Sequence, residues 1–186
     1  LQRQKFLASL KIFLENVNIH KLDGDIDYRT RNIIKFDEHD SNKIISDVEI
    51  FNFIIDNFGL DQQKSDQISI NDRKFTCKLV SNNILWIEFN DFFRKATGSK
   101  DYTYISNKFD WVFISNFKKN NDDSIDVIRR FISFIDITYT NRTKIKFFFN
   151  DIDIENIYTG SKIENLWVRC KSRLSEMRTQ EYLTNN

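Results

Sequence analysis

Hydrophobic residues recur at helical spacing near the start of the chain and again before its middle. Steps of three and four residues between apolar positions predict a helix over residues 6–17, and the alternating residues 17–22 predict a strand. A second helix is predicted over residues 44–58, with Gly59 placed to end it. We expect this second helix to bury one apolar face, made of Ile44, Val48, Phe51, Ile55 and Phe58.

Three short apolar runs follow a polar loop at residues 60–67. They predict a small antiparallel β-meander over residues 68–70, 75–80 and 84–89. Asn71-Asp72 and residues 81–83 supply its turns, because Asn and Asp tolerate the left-handed backbone of tight hairpins.

The last third of the chain predicts a βαβ unit over about residues 110–149. Residues 110–115 and 144–149 are apolar strands, and the helix between them begins at Asp123 or Ser124 and runs to Tyr139. Strand, helix and strand at this length favour two parallel strands joined by a right-handed crossover.

Further helices flank this unit. A short helix begins near Asn90 or Asp91, and another covers residues 99–108 with Ser99 as its N-cap. Residues 154–158 form a helical turn that Gly160 ends. A final helix over residues 162–183 buries a stripe of Ile163, Trp167, Cys170, Leu174 and Met177.

Composition excludes several classes of function. The chain is 40% apolar with 18 Phe, enough for a sizeable core, and its net charge of +1 gives no case for a nucleic acid or an anionic membrane as partner. No apolar run reaches the roughly 18 residues of a membrane span. The two cysteines have no metal-ligand spacing, which favours a reducing, cytoplasmic setting.

Several segments carry a family resemblance when read in order. Residues 129–139 (RRFISFIDITY) with Asn141-Arg142, and residues 172–183 (SRLSEMRTQEYL), are similar to signatures of the ZapE-type P-loop ATPases of the AAA+ superfamily. The opening residues 1–7 also resemble that family. Further matches lie at Leu22-Asp23-Gly24, Asp27-Tyr28-Arg29, Asp101-Tyr102 and Phe109.

The resemblance implies an α/β fold that is the C-terminal portion of a P-loop ATPase. Residues 1–35 would be the tail end of the AAA+ core and residues 36–186 the C-terminal α/β region, with no complete nucleotide-binding domain. The family binds and hydrolyses ATP, in roles linked to cell division or membrane-protein quality control. One departure stands out, because residues 114–118 (ISNFK) replace the family's L-D-D-V-P.

The residues of phosphate chemistry are missing from the sequence. None of the four glycines begins a G-x-x-x-x-G-K-[ST] loop, and no apolar strand ends in an Asp-Glu pair. We therefore expect no cofactor on this chain alone, with ATP and Mg belonging to the intact family. The implied partners are a P-loop half encoded upstream, neighbouring ATPase subunits or cell-division proteins. The alternative is a non-enzymatic interaction module that docks on a partner or on a separately encoded P-loop half.

Three arginines are the candidate site residues. The resemblance implies that Arg3 is a trans-acting arginine finger, since a planar guanidinium stabilises charge on a transferring phosphate. Arg129 and Arg130 are candidates for nucleotide sensing. The alternative for Arg3 is a solvated residue. For the other two, one would face water while the other forms an ion pair or covers apolar surface.

Other polar groups suggest structural roles. Asp136 is expected to cap or to pair with a basic group, and neither His20 nor His39 has the neighbours of a triad or metal site. The basic residues of the last helix suit either docking on another subunit or packing on their own domain. The three tryptophans are interpreted as core or partly buried packing.

Overall fold

A computed structural model describes residues 45–59, 65–81 and 83–184. The helix predicted over residues 6–17, the strand over 17–22 and the proposed division at residue 35 lie outside the described residues. The described elements are α1 Asp47–Phe58, β1 Ser65–Ile70, β2 Arg73–Ser81, β3 Ile84–Glu88, α2 Phe89–Phe93, α3 Ser99–Lys108, β4 Trp111–Ser115, α4 Ile125–Thr140, β5 Lys144–Phe147, α5 Ile154–Ile157, α6 Glu164–Met177 and α7 Gln180–Thr184.

The strands form one five-stranded sheet in the order β1-β2-β3-β4-β5. The first three strands pair antiparallel, and β3, β4 and β5 pair parallel, so the predicted meander and βαβ unit are both confirmed. Asn71 and Asp72 adopt φ of 48° and 62°, which matches the right-handed twist of the hairpin they close. Strand β1 begins at Ser65, so residues 65–67 of the predicted loop belong to the sheet.

The sheet carries a hydrophobic cluster on each face, because successive strand residues point to opposite sides. Leu85 and Val112 face the larger cluster, which includes residues of α2, α3, α4 and α6. Trp86 and Phe113 face the smaller cluster, which α1 covers. This is the predicted α/β class. Among the described residues no helix is long and apolar enough to cross a membrane.

The predicted buried face of α1 is wrong in part. Ile50 and Ile54 are the buried residues of this helix, at 1% and 0% exposure, whereas Val48 is 67% exposed and Ile55 38% exposed. Phe51 and Phe58 are half-buried against the smaller cluster. The helix is apolar on two adjacent faces, so its periodicity alone fits two different stripes.

Two predicted helix caps are also corrected. Gly98, not Ser99, is the N-cap of α3, and its N–H donates to the Asp101 carboxylate at 2.9 Å. Ser124 precedes α4 but makes no side-chain cap. Instead the Asn121 side chain accepts the Asp123 N–H at 2.9 Å, starting a 3₁₀ turn over Asp122–Ser124 that leads into α4.

The final predicted helix is two helices. Its apolar stripe is buried as expected, from Ile163 to Met177, but α6 ends there and α7 begins at Gln180. The Thr179 hydroxyl donates to the Glu176 carbonyl at 2.7 Å and accepts the Tyr182 N–H at 3.2 Å. Thr179 therefore closes one helix and caps the next.

Candidate functional site

The two candidate nucleotide-sensing arginines lie at the start of α4 in different surroundings. Arg129 is exposed, and Arg130 is half-buried. The Arg130 Nη1 donates to the carbonyl oxygen of Phe93 at 3.1 Å, which ties the end of α2 to α4. One arginine thus faces water and the other holds a helix end. Arg3, like both histidines, lies outside the described residues.

Asp136 is brought together with two arginines of α6. The Arg169 Nη2 lies 2.7 Å from one carboxylate oxygen, and the Arg173 Nη1 bonds the other. The Arg173 guanidinium also lies 5.1 Å from the ring centroid of Tyr139. Of the two roles expected for Asp136, capping and pairing with a basic group, the structure shows the pairing, which locks α6 onto α4.

Tyr182 ties the end of the described chain to the end of α4. Its hydroxyl lies 3.3 Å from the carbonyl oxygens of Thr138 and Tyr139, and its ring stacks on Tyr139 at 5.8 Å. The two segments of strongest family resemblance, 129–142 and 172–183, therefore pack against each other. Asp136, Arg173 and Tyr182 act as structural contacts between these two segments.

Asp101 is a buried carboxylate whose bonds are structural. It is 1% exposed and accepts from Arg73, from Asn71 at 3.1 Å and from the Gly98 N–H. Burial alone raises the pKa of this carboxyl, but the hydrogen bonds from Arg73, Gly98 and Asn71 outweigh it and leave the pKa below its usual value. Asp101 therefore stays charged and joins the β1–β2 turn to α3.

The carboxyl ends of the parallel strands are where open α/β sheets bind ligands, provided that the strand order reverses there. Strands β3, β4 and β5 follow chain order without reversal, and helices α3 and α4 pack together on one face. The polar groups at this edge bond each other: Asn116 donates to Glu88 at 3.2 Å, and Lys78 lies 3.4 Å from Glu88. The described strands therefore form no nucleotide crevice at this edge.

A cleft of about 500 Å³ lies at the opposite, amino-terminal edge of β4 and β5. Its wall includes the cations Arg142 and Lys144 and the acid Asp110. Phe58, Phe109 and Asn141 also line it, so α1, α3 and α4 all end beside it. Helix C-termini carry partial negative charge, which the two cations offset. The cations are thus accounted for without a ligand.

Lys146 is a buried amine within β5. It is 8% exposed, and its Nζ lies 5.1 Å from the ring centroid of Phe53 and 5.5 Å from that of Phe148. Burial lowers its pKa to about 8. A lysine inside the apolar run KIKFFF is the one sequence signal that could have singled it out.

The described part of the chain contains neither a candidate metal site nor a reactive cysteine. It contains no group of three or more His, Cys, Asp or Glu residues that could hold a metal ion. Cys77 and Cys170 are both buried, and burial raises the pKa of Cys77 to about 11 and that of Cys170 further. Both thiols stay protonated at neutral pH and are poor nucleophiles.

Comparison with known proteins finds one family model and several relatives that match this chain over nearly its whole length. The sequence model of the AFG1-like ATPase family matches residues 1–186. "Cell division protein ZapE" of Escherichia coli K12 is 26% identical over 188 residues, covering 98% of this chain and 49% of that protein. "Uncharacterized protein C115.02c" of Schizosaccharomyces pombe is 23% identical over 217 residues, covering 98% and 47%. The chain thus spans about half the length of these relatives, and no solved structure matches it.

Proposed function

Because the chain belongs to the AFG1-like ATPase family, we propose that it is the C-terminal part of a ZapE-type ATPase that works with a nucleotide-binding half. One observation carries the proposal: the family match runs over residues 1–186, yet the chain spans only 49% of the E. coli relative. Because the sequence contains no G-x-x-x-x-G-K-[ST] loop, the phosphate cradle has to come from elsewhere.

The chemistry of phosphoryl transfer supports inactivity of the chain by itself. Transfer requires backbone N–H groups and a lysine around the phosphates, with acids that hold Mg²⁺. The described carboxylates Asp101, Asp122 and Asp136 all bond neighbouring side chains or backbone N–H groups. ATP and Mg²⁺ would therefore be held by the other half, which the family supplies in the intact protein.

Arg3 is our candidate for a direct contribution to hydrolysis. It would reach the γ-phosphate of a neighbouring subunit and stabilise charge in the transition state, an effect worth roughly 10³–10⁵ in kcat where an arginine finger acts. Of the other two candidates, Arg129 is the better nucleotide sensor, because it is exposed while Arg130 is engaged with Phe93. The name of the E. coli relative, a cell division protein, supports cell-division proteins as partners.

Two measurements on the purified 186-residue chain test its inactivity. We expect no ATP turnover above buffer, and no rise in melting temperature with saturating MgATP, because a ligand stabilises only a protein that binds it. Turnover by this chain that one of its own substitutions abolishes would overturn the proposal. So would a MgATP-dependent rise in melting temperature that Arg129→Ala removes.

A chimera tests the role of Arg3. The part of E. coli ZapE that the match leaves uncovered is joined to Leu1, and ATPase activity is measured with ATP binding followed separately. We expect Arg3→Ala to abolish turnover while ATP binding persists, and Lys5→Ala to leave both unchanged as the matched control. Full turnover by the Arg3→Ala chimera refutes the finger.

An interaction module without ATPase function is the second candidate. Its support is that residues 65–184 share one large hydrophobic cluster closed by internal ion pairs such as Arg73–Asp101 and Arg173–Asp136. Such a unit would melt in one sharp, reversible transition without any other chain present. Broad unfolding with aggregation favours the ATPase half instead, since a part separated from its sheet partners exposes strand edges.

A further inference from the structure

The cleft at the amino-terminal edge of β4 and β5 contains two hydroxyl groups that the charge balance of its cations does not explain. Thr143 is 4% exposed and Ser106 is half-buried, and both residues line the cleft. The Thr143 Oγ1 and the Ser106 Oγ are shielded from water, yet neither makes a hydrogen bond within the described part of the chain. A buried hydroxyl without a partner is costly, and an ion, a water molecule or a ligand usually satisfies such a group.

Arg142, which also lines the cleft, occupies a backbone conformation that favours glycine. It follows α4 with φ of 57°, and its N–H donates to the carbonyl oxygen of Tyr139 at 3.2 Å, so it is the left-handed residue that ends the helix. Its guanidinium lies 5.2 Å from the ring centroid of Tyr182. A side chain at this position costs backbone strain that glycine would avoid, which indicates that its contacts matter.

An aromatic surface lies beside the second cation of the cleft, Lys144. Phe58 and Trp111 line the cleft, both are half-buried, and their ring centroids are 4.9 Å apart. The Lys144 Nζ lies 6.0 Å from the ring centroid of Trp111. An anionic group bound by Lys144 would therefore bring the apolar body attached to it against the rings of Trp111 and Phe58.

We propose that this cleft binds a small organic monocarboxylate with an apolar body. Its charged side chains are Arg142, Lys144 and Asp110, two cations and one acid, so a single negative charge suits it better than the double charge of a phosphate. A guanidinium pairs with both oxygens of a carboxylate, and the hydroxyls of Thr143 and Ser106 each have a proton to donate. The volume of about 500 Å³ lies in the range of small-molecule sites.

Fluorescence of Trp111 reports binding in the cleft. Trp86 and Trp167 are 2% and 3% exposed, whereas Trp111 is half-exposed. We expect phenylacetate to change the indole fluorescence of the full 186-residue chain with a dissociation constant of about 1 mM or tighter, which a ligand of this size can reach. Phenylacetamide has the same shape without the charge, and we expect it to bind at least about tenfold more weakly.

Further probes identify the source and the charge of the carboxylate. A short peptide that ends in phenylalanine is compared with its C-terminal amide. Binding of the free-acid peptide but not of its amide assigns the cleft to a protein chain end, whereas binding of phenylacetate without the peptide assigns it to a free acid. Both results support the proposal. Phenyl phosphate is expected to bind more weakly than phenylacetate, and tighter binding of the phosphate would overturn the charge argument.

Two variants test the cations. Arg142→Gly removes the guanidinium where the backbone favours glycine, so we expect the fold to be retained and a loss of binding to report on the side chain. Arg142→Gly and Lys144→Met should each weaken phenylacetate binding at least about tenfold. Arg94→Ala, at an exposed position just after α2, is the matched control and should leave the affinity unchanged.

Thr143→Val separates binding from a structural role, because it removes the hydroxyl and keeps a similar shape. We expect an unchanged or higher melting temperature and about threefold or weaker binding of phenylacetate, while Thr103→Val, at an exposed position of α3, changes neither. A lower melting temperature with unchanged affinity in Thr143→Val overturns the proposal. So does binding of neither phenylacetate nor the peptide, or full affinity in both cation variants. These measurements contain no nucleotide, so the cleft and the ATPase role succeed or fail separately.

Discussion

The Arg73 Nη2 lies 2.6 Å from both carboxylate oxygens of Asp101, which is 28 residues further along the chain. The pair is unequal, because the Asp101 side chain is 2% exposed and the Arg73 side chain 46%. It joins the β1–β2 hairpin to α3, together with the hydrogen bond that Asn71 of the same hairpin donates to Asp101. Arg73 lies at the start of β2 and has no sequence pattern that marks it.

Asp101→Asn is expected to destabilise the fold by about 1–3 kcal/mol, because a buried acceptor for Arg73 and the Gly98 N–H loses its charge. The pKa of Asp101 is lower in the folded chain than its ordinary 3.8. Its contribution is therefore fully present above pH 3.8 and is lost as the pH falls through the lower folded value. Urea unfolding at neutral and acidic pH measures both effects.

The control for that experiment is Asp91→Asn, at an exposed position of α2. We expect a change within about 0.5 kcal/mol there, as for most surface substitutions. An equal loss at both positions would show that Asp101 contributes no more than an exposed carboxylate.

The two arginines on Asp136 are expected to differ in strength. The side chain of Arg169 is 52% exposed and that of Arg173 is 24% exposed. Solvent screens the first pair more, so Arg169→Ala should cost under about 1 kcal/mol. Arg173→Ala should cost about 1–2 kcal/mol, because it also removes the contact with the Tyr139 ring. Double-mutant cycles with Asp136→Ala measure the coupling energy of each arginine with Asp136. A larger coupling energy for Arg169 than for Arg173 would contradict this expectation.

Lys146 should make stability depend on pH in the alkaline range. Its folded pKa is about 8 and its ordinary value 10.5, so between these values the unfolded chain binds more protons. The free energy of unfolding therefore rises with pH across that window. Lys146→Met should remove the rise. It should also stabilise the fold at pH 7 by ~1–3 kcal/mol, because it removes the cost of burying a charged amine, part of which the faces of Phe53 and Phe148 offset.

Lys144→Met is the control for Lys146, since it removes a half-buried amine from the same strand. That variant should keep the alkaline rise of the unmodified protein. Chemical unfolding measured from pH 7 to above pH 10 gives the comparison. A rise that persists in Lys146→Met would assign it to another group.

Glycine is required at position 160 because the side chains of Asp122 and Tyr158 lie too close to the backbone there for a Cβ atom. A Cβ at this position would overlap the Asp122 carboxylate and the Tyr158 hydroxyl, which bond each other and, through Asp122, the N–H groups of Ser161 and Lys162. Gly160→Ala should therefore destabilise by about 1–3 kcal/mol through overpacking. Gly98→Ala meets no atom within 4 Å and should be neutral or slightly stabilising. Thermal unfolding of both variants decides, and equal melting temperatures would contradict the steric reason.

The sequence anticipated local structure well where one pattern dominates. The meander, its Asn71-Asp72 turn and the βαβ unit follow from period-two runs and from residues that accept positive φ. Pairing with a basic group was also one of the two roles that the sequence suggested for Asp136. The sequence missed Arg73 as a partner of Asp101, because ion pairs between distant elements have no fixed spacing along the chain.

Helix α1 shows most clearly where sequence reasoning reaches its end. Seven of its twelve residues (DVEIFNFIIDNF) are apolar, so the sequence determined a helix that Gly59 ends, whereas its start at Asp47 after the N-cap Ser46, and not at residue 44, came from the structure. Which side is buried depends on the sheet residues that approach it, and the tertiary structure chose Ile50 and Ile54 over Val48 and Ile55. Likewise the sequence determined a C-terminal helical segment, while the contacts of Tyr182 with the end of α4 decided that it breaks at Thr179. The periodicity of the sequence indicates which residues avoid water. Which residues they pack against is determined only by the contacts between distant segments in the tertiary structure.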